Sequence, residues 1–350
     1  MLSFIIKKLL YGLLVLLGIV LLVFMLFAWF PDPAEIMAGQ RDDILTKDAI
    51  KKEFGLDKSK GQQLLFYIND LSPLSFHQPT QENKEKYNFA TLFTIGQTAT
   101  VLKYPYLRRS YQSKKKVSEI LSESFLGTAV LALASILIAS ILGIGMGVFA
   151  ALKQDTFTDR SILFISTIGI SMPSFFAAII IAWLFGYVLT EYTGLNMTGS
   201  LVDYDGNYNR FFNLKNLILP AFALGIRPLA IIIQLTRSST IDVMGQDYIR
   251  TAYAKGLNHF RVVWGHALKN ALNPVITSIS GWFASLLAGS FFVEYIFNWR
   301  GVGKVTVDAL EKSDYPVVMG AILLIAVIFI VINIVVDILY KVLDPRVSIN

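Results

Sequence analysis

Long apolar runs decide what this chain can fold into. Stretches at about 9–30, 120–151, 161–189, 216–236, 271–293 and 317–340 are each long enough for the roughly 20 residues that cross a 30 Å hydrocarbon core. Their apolar residues are bunched, without the periods that give a water-soluble domain its half-buried faces. Composition agrees, with 54% hydrophobic and only 16% charged residues, far from an ordinary soluble domain. The expected fold class is an all-α membrane protein with six transmembrane helices. Pro173 and Pro228 lie inside spans and predict kinks or local unwinding without a break in topology. The first run follows Lys7 and Lys8, as a secretory leader would. It is longer than a signal h-region, however, and ends in AWFPDP with no small-x-small cleavage site, so it reads as a retained helix.

No cysteine occurs in the 350 residues, which removes disulfides, thiolate metal sites and cysteine nucleophiles together. The net charge of +6 needs no nucleic acid to explain it, because basic residues in a membrane chain serve first to orient it. With the N-terminus inside, the cytoplasmic set is Lys7, Lys8, Lys153, Arg160, Arg237, Arg250, Lys255, Arg261, Lys269, Lys341 and Arg346. The short outer loops hold only Arg210, Lys215, Arg300, Lys304 and Lys312. This asymmetry predicts that both termini are cytoplasmic. The segment 31–118 is rich in lysine, including Lys114, Lys115 and Lys116, but long segments translocate largely regardless of charge. The expected organisation is a first helix at 1–30, an extracytoplasmic loop or insertion at 31–118, and a five-helix core at 119–350 that carries a cytoplasmic loop at 238–270.

Most of that loop and the start of the next span make up a basic, amphipathic, glycine-broken stretch, QDYIRTAYAKGLNHFRVVWGHALKNALNP, from Gln246 to Pro274. Tyr248, Ile249, Ala252 and Tyr253 fall on one helical face, as do Leu257, Phe260, Val263, Trp264 and Ala267, while Arg250, Ala254 and Arg261 lie towards another. Gly256 sits between the two stripes, where a glycine C-cap reaches left-handed backbone angles without a Cβ penalty. The pattern predicts helix, turn, helix. Two uses remain open on pattern alone: a protruding contact for another protein, or an interfacial helix lying on an anionic leaflet.

The residues resemble those of a known family, the membrane permeases of bacterial and archaeal ABC importers, in the branch that handles oligopeptides, dipeptides and nickel. The family's cytoplasmic EAA motif, three residues, then glycine is similar to Asp247-Tyr-Ile-Arg-Thr-Ala-Tyr-Ala-Lys-Gly256, followed by His266-Ala-Leu-Lys-Asn-Ala-Leu-Asn-Pro274. Arg250 and Thr251 stand where the general motif has Glu and Ala, as is usual in this branch. FPDPAEI, KKEFGLD, TIGISMPSFF, LTRSSTIDV, FFVEYIFNWRGVGKVTVDAL and DYPVVMG...NIVVDILYKVLDPR resemble further family segments in the same order. Arg300 replaces a proline common at that turn, and the stretch from about Phe76 to Val117 has no recognised counterpart, which suggests an insertion.

The resemblance implies a multi-pass protein of the bacterial or archaeal plasma membrane that forms half of a substrate pathway. A homologous second permease supplies the other half, and two cytoplasmic ATPases and an external solute-binding protein complete the machine. ATP and magnesium belong to the ATPases; no cofactor and no catalytic role is expected of this chain. The coupling loop is expected to engage an ATPase through Asp247, Tyr248, Arg250, Thr251, Ala252 and Ala254, then Lys255, Gly256, Leu257, Arg261, Trp264 and His266. Peptides are the expected cargo, with nickel or another small solute as the alternative.

Other chemistry fails on residue type. GVGKVT has Asn298 where a P-loop needs its first glycine and Val305 where it needs Ser or Thr. Ser171 lacks any histidine within the spans to act as its base, since His77, His259 and His266 all lie in loops. His259 and His266 have no carboxylate-rich partner motif and read as helix-surface residues, not metal ligands. A secondary transporter would need inverted repeats and intramembrane acids, and the latter are nearly absent. Gly143, Gly145 and Gly147 suggest tight helix packing. Ser171, Pro173 and Arg227 are candidate pathway residues. Pro173 is a kink or a gate; Arg227, near the middle of span four, is either satisfied by carbonyls and polar neighbours or faces a water-filled pathway.

Overall fold

A computed structural model describes residues 2–29, 57–204 and 210–343. FPDPAEI, nearly all of KKEFGLD and the closing DPR lie outside the described residues. The chain forms two compact units, neither contiguous in sequence: Met1–Ser124 with Val305–Val327, and Phe125–Lys304 with Ile328–Asn350.

In order, the elements are α1 (Leu2–Ala28), α2 (Lys60–Leu71), β1 (Leu74–His77), α3 (Gln81–Tyr87), β2 (Ala90–Ile95), β3 (Thr98–Leu102) and α4 (Val117–Leu152). Then come α5 (Phe157–Ser171), α6 (Ser174–Trp183), the strands β4 (Val202–Tyr204) and β5 (Arg210–Phe212), and α7 (Lys215–Met244). The chain continues with α8 (Asp247–Ala254), α9 (His259–Val262), α10 (Leu268–Gly289), α11 (Phe291–Ile296), α12 (Val302–Glu311) and α13 (Tyr315–Leu343). Five helical stretches among the described residues are long and apolar enough to cross a membrane: Phe4–Ala28, Val117–Leu152, Lys215–Met244, His259–Gly289 and Tyr315–Ile338.

The expected third span differs. α5 and α6, the latter extended by a π-helical turn at Leu184–Val188, meet at an angle of 110°. Pro173 is therefore at a break and not a kink: it lacks the N–H a continuous helix would use, and it pushes Met172 into extended backbone at φ −73° and ψ 132°. Pro228, by contrast, sits inside an unbroken α7. The expectation of an all-α fold also needs correction, because the segment after α2 builds a three-stranded antiparallel sheet in the order β1-β3-β2. Gly96 at φ +61° turns β2 into β3 through a two-residue connection. β3 buries Ala99 and Val101 and β1 buries the polar Ser75 and His77, while β2 is exposed throughout, so strands this short leave little apolar periodic signal.

In the first unit, Val20, Val23 and Phe24 of α1 pack with Tyr67 of α2 and with Met319 and Leu323 of α13. α2 starts at a capping box in which Ser59 and Gln62 satisfy each other's backbone N–H. In the second unit α7 is the hub, packed against α5, α6 and α10. α4 reaches α7 through glycines: a Cβ on Gly143 would lie 2.6 Å from Ile232 Cγ2, and one on Gly147 would lie 2.6 Å from Thr236 Cβ. Gly145 faces open space. Two glycines four apart thus let the α4 and α7 backbones approach closely.

Candidate functional site

The loop between α7 and α10 folds as helix, turn, helix. Gly256 takes φ +79° with nothing near its absent Cβ, so its role is the backbone angle itself. Asn258 then caps α9, its Oδ1 accepting from Arg261 N at 2.9 Å. Ile249 and Ala252 of α8 are buried with Val262 and Ala267 against Val243, Met244 and Leu257. Val263 and Leu268 pack in turn with Val148. This seam fastens the two short helices to each other and to the ends of α7 and α4.

The seam is narrower than the two stripes read from the sequence. Tyr248 and Tyr253 flank Ile249 and Ala252 but stay 41% and 39% exposed, and Phe260 and Trp264 are 70% and 49% exposed. A π-helical turn at Val263–Ala267 shifts the helical phase, so Val263 and Ala267 turn inward while Trp264 does not. The outer surface therefore carries aromatic rings beside Arg250, Thr251, Ala254, Lys255, Arg261 and His266, all exposed. Local bonds hold it. Tyr253 OH meets His259 Nδ1 at 2.7 Å, Asn270 Nδ2 donates to Tyr248 OH at 2.8 Å, and the Phe260 and Trp264 rings lie 5.9 Å apart. Arg250 reaches Asp247 at 3.4 Å with both side chains well exposed, which adds little stability.

The candidate pathway residues share one region. Ser171 and Pro173 are exposed at the α5/α6 break, with Ser171 Oγ donating to Thr167 O at 2.8 Å. Gly169, just before them, is a tight contact of α5 on α7: its Cβ would lie 3.1 Å from Ile226 Cγ2. The next residue, Arg227, is exposed and makes no hydrogen bond or ion pair among the described residues.

Two charged centres escaped the sequence reading. Arg237, counted above only as an orienting charge, forms a bidentate pair with Asp159: Nε to Oδ1 is 2.5 Å and Nη2 to Oδ2 is 2.6 Å. Asp159 is 1% exposed and also accepts from Asp155 N at 2.9 Å, so the pair ties the start of α5 to α7. Glu294 is fully buried. Its Oε1 accepts from Ser290 Oγ at 2.5 Å and Thr128 Oγ1 at 2.8 Å, and its Oε2 accepts from Lys304 N at 3.1 Å. Thr128 Oγ1 in turn accepts from Val302 N at 2.8 Å, and Trp299 Nε1 donates to Gly127 O at 2.9 Å. A side chain on Gly301 would collide with this carboxylate, and a Cβ on Gly303 would lie 2.6 Å from Phe291 Cα. The signal was present as a lone acid in FFVEYIF followed by GVG, but only the folded chain shows why they belong together.

Apolar helices of spanning length, a broken helix pair and a basic-aromatic loop define a class of protein, the multi-span helical membrane protein. The chain belongs, in particular, to the family described as binding-protein-dependent transport system inner membrane component, whose model it matches over residues 143–349; the corresponding N-terminal model matches residues 1–132. It is 36% identical to the di/tripeptide transport system permease protein DppB of Pseudomonas aeruginosa, over 99% of each chain. It is 35% identical to the dipeptide transport system permease protein DppB of Escherichia coli, over 99% of each. The oligopeptide transport system permease protein AppB of Bacillus subtilis is 32% identical, over 99% of this chain and all of that one. The inward-facing MetNI methionine ABC transporter has the same fold over 65% of this chain and 97% of that one, with a TM-score of 0.50 and 15% identity. The chain is thus a multi-pass inner-membrane permease of the ABC importer class.

Proposed function

We propose that this chain is the permease subunit of a peptide importer, forming half of the pathway for di- and oligopeptides delivered by an external solute-binding protein. A homologous permease supplies the other half, and separate ATPase subunits hold and hydrolyse ATP. Six spans with both termini cytoplasmic, counting α5 and α6 as one broken span, put the loop from Asp247 to His266 on the ATPase side. The observation that carries this reading is the loop's construction. Its inner seam is apolar and its turn is set by Gly256, while its aromatic and basic side chains point outward, touching only one another and their neighbours in the loop and the start of α10. A protrusion this stiff can carry a two-state motion of a partner into rigid-body motion of the helices. The peptide transport of the relatives supports the cargo class; nickel or another small solute is the alternative.

The absence of native cysteine gives a direct test. A single cysteine at Phe260 should cross-link to a co-expressed ATPase subunit, whereas one at exposed Phe164 of α5 should not. The assembled importer should take up labelled dipeptides only with ATP and binding protein present; uptake of nickel alone would move the cargo class. Arg227 is the candidate carboxylate contact in the pathway, as an exposed unpaired guanidinium beside the broken span. Arg227→Gln should leave assembly and ATPase activity intact and reduce uptake of free-carboxylate peptides at least fivefold more than of their amides. Equal reduction for both would remove it from the pathway.

A further inference from the structure

The N-terminal unit contains a cleft of about 710 Å³ that the transport pathway does not account for. One face of α2 lines it with Phe66, Asn69 and Asp70, at helical spacing. α3 contributes Glu82, Glu85 and Lys86, β1 contributes Phe76 and His77, and the segment after β3 contributes Tyr106, Arg108 and Arg109.

Part of this lining is already committed to structure. Asp70 accepts from Tyr87 OH and from Arg108 Nε, both at 3.0 Å, and its backbone oxygen accepts from Lys103 Nζ. The His77 ring stacks on Tyr87 at 4.1 Å. Burial, with Lys103 second, holds the His77 imidazole below its ordinary value, so it adds no charge near neutral pH. Asn69 bonds both the N–H and the C=O of Phe76, at 2.9 and 3.0 Å, closing the outer edge of β1 at that residue to an added strand.

What remains is a set of exposed groups around rigid walls. Phe66 and Phe76 are 53% and 65% exposed. Glu82 and Glu85 make no ion pair among the described residues. Lys86 lies over the Tyr87 and Tyr106 rings at 5.0 and 5.7 Å instead of turning to Glu82 one helical turn away. Arg109 spends one nitrogen on Lys114 O at 3.0 Å and also engages the Tyr106 hydroxyl. Glu85 Oε1 accepts only from the neutral Gln81 Nε2, at 3.1 Å. Exposed acids and bases that make no ion pair with one another thus border one aromatic-walled cleft. A polyanion would meet the two glutamates and a polycation would meet Lys86 and Arg109, whereas a ligand with one charge of each sign at its two ends satisfies both.

We propose that this cleft binds short zwitterionic peptides, with Glu82 and Glu85 receiving the ammonium group, Lys86 and Arg109 the carboxylate, and Phe66 and Phe76 an apolar side chain. The proposal rests on the reading of peptides as cargo and makes the N-terminal unit a second place where that cargo is held, apart from the pathway. Size fits, because ligand sites of roughly 300–1,000 Å³ bury small organic molecules well.

The test uses the full chain in lipid nanodiscs without partner subunits, titrated calorimetrically with Ala-Phe-Ala, its N-acetyl form and its C-amide. The expected result is binding of the free tripeptide and at least tenfold weaker binding of each blocked form. In E82Q/E85Q the acetylation penalty should vanish while the amidation penalty persists, and in K86Q/R109Q the reverse should hold. No binding, or end-group penalties that neither double variant changes, overturns the proposal. Uptake by the assembled importer separates the two readings. Peptide uptake without cleft binding leaves the permease function standing and removes the cleft; cleft binding with no peptide uptake by the complete importer leaves the cleft and removes the cargo assignment.

Discussion

Gly256 in the loop between α7 and α10 and Gly301 beside Glu294 are both glycines in turns of the second unit, yet they are required for opposite reasons. Gly256 has φ +79° and open space where a Cβ would stand; Gly301 has no positive φ and no space, because the buried carboxylate fills it. The loop is held by a backbone angle and a thin apolar seam and presents its side chains outward. The knot is held by volume and by hydrogen bonds that leave the carboxylate nothing to offer. A region built to contact something else can tolerate added bulk but not a changed angle, and a region built to stay shut is the reverse.

Substitutions sharpen this contrast, and the largest effect is expected at the knot. Gly301→Ala should destabilise the chain by about 3 kcal/mol, since overpacking a filled site and displacing a bonded carboxylate add together; the readout is a lowered unfolding temperature in detergent with loss of assembled importer. A variant as stable as the wild type would mean the knot is loose. Glu294→Gln keeps the volume but replaces one acceptor oxygen with an NH₂ group, so about 1–2 kcal/mol of stability should be lost in the same assay.

At the loop, Gly256→Val should cost about 1–2 kcal/mol locally, with insertion and global stability nearly unchanged while uptake and substrate-stimulated ATPase activity fall together. Gly256→Asn, which tolerates left-handed backbone angles, should restore most of both activities, and its failure to do so would assign Gly256 to contact instead of conformation. The smallest effect is expected at Gly145, which needs neither angle nor space. Gly145→Ala should stabilise α4 by no more than about 1 kcal/mol with uptake unchanged.

The sequence by itself determined what depends on neighbours along the chain. Runs of apolar residues long enough to span a bilayer are visible because backbone hydrogen bonds in hydrocarbon must close within the segment, and α1, α4, α7, α10 and α13 appear where those runs lie. The helix-turn-helix around Gly256 was legible for the same reason, as a cap and a left-handed turn are local events. What required the tertiary structure was any choice among faces or any contact distant in sequence. The apolar stripe of the loop did not reveal that Ile249 and Ala252 turn inward while Phe260 and Trp264 remain outside, because the seam's width depends on Val243, Met244 and Val148 arriving from other helices. Pro173 and Pro228 read alike, but one lies at a 110° break and the other inside a continuous helix wedged among its neighbours. Glu294 joins Thr128 across 166 residues and Arg237 joins Asp159 across 78. No periodicity records such pairings, since a buried charge is tolerable only once folding has brought its partners to it.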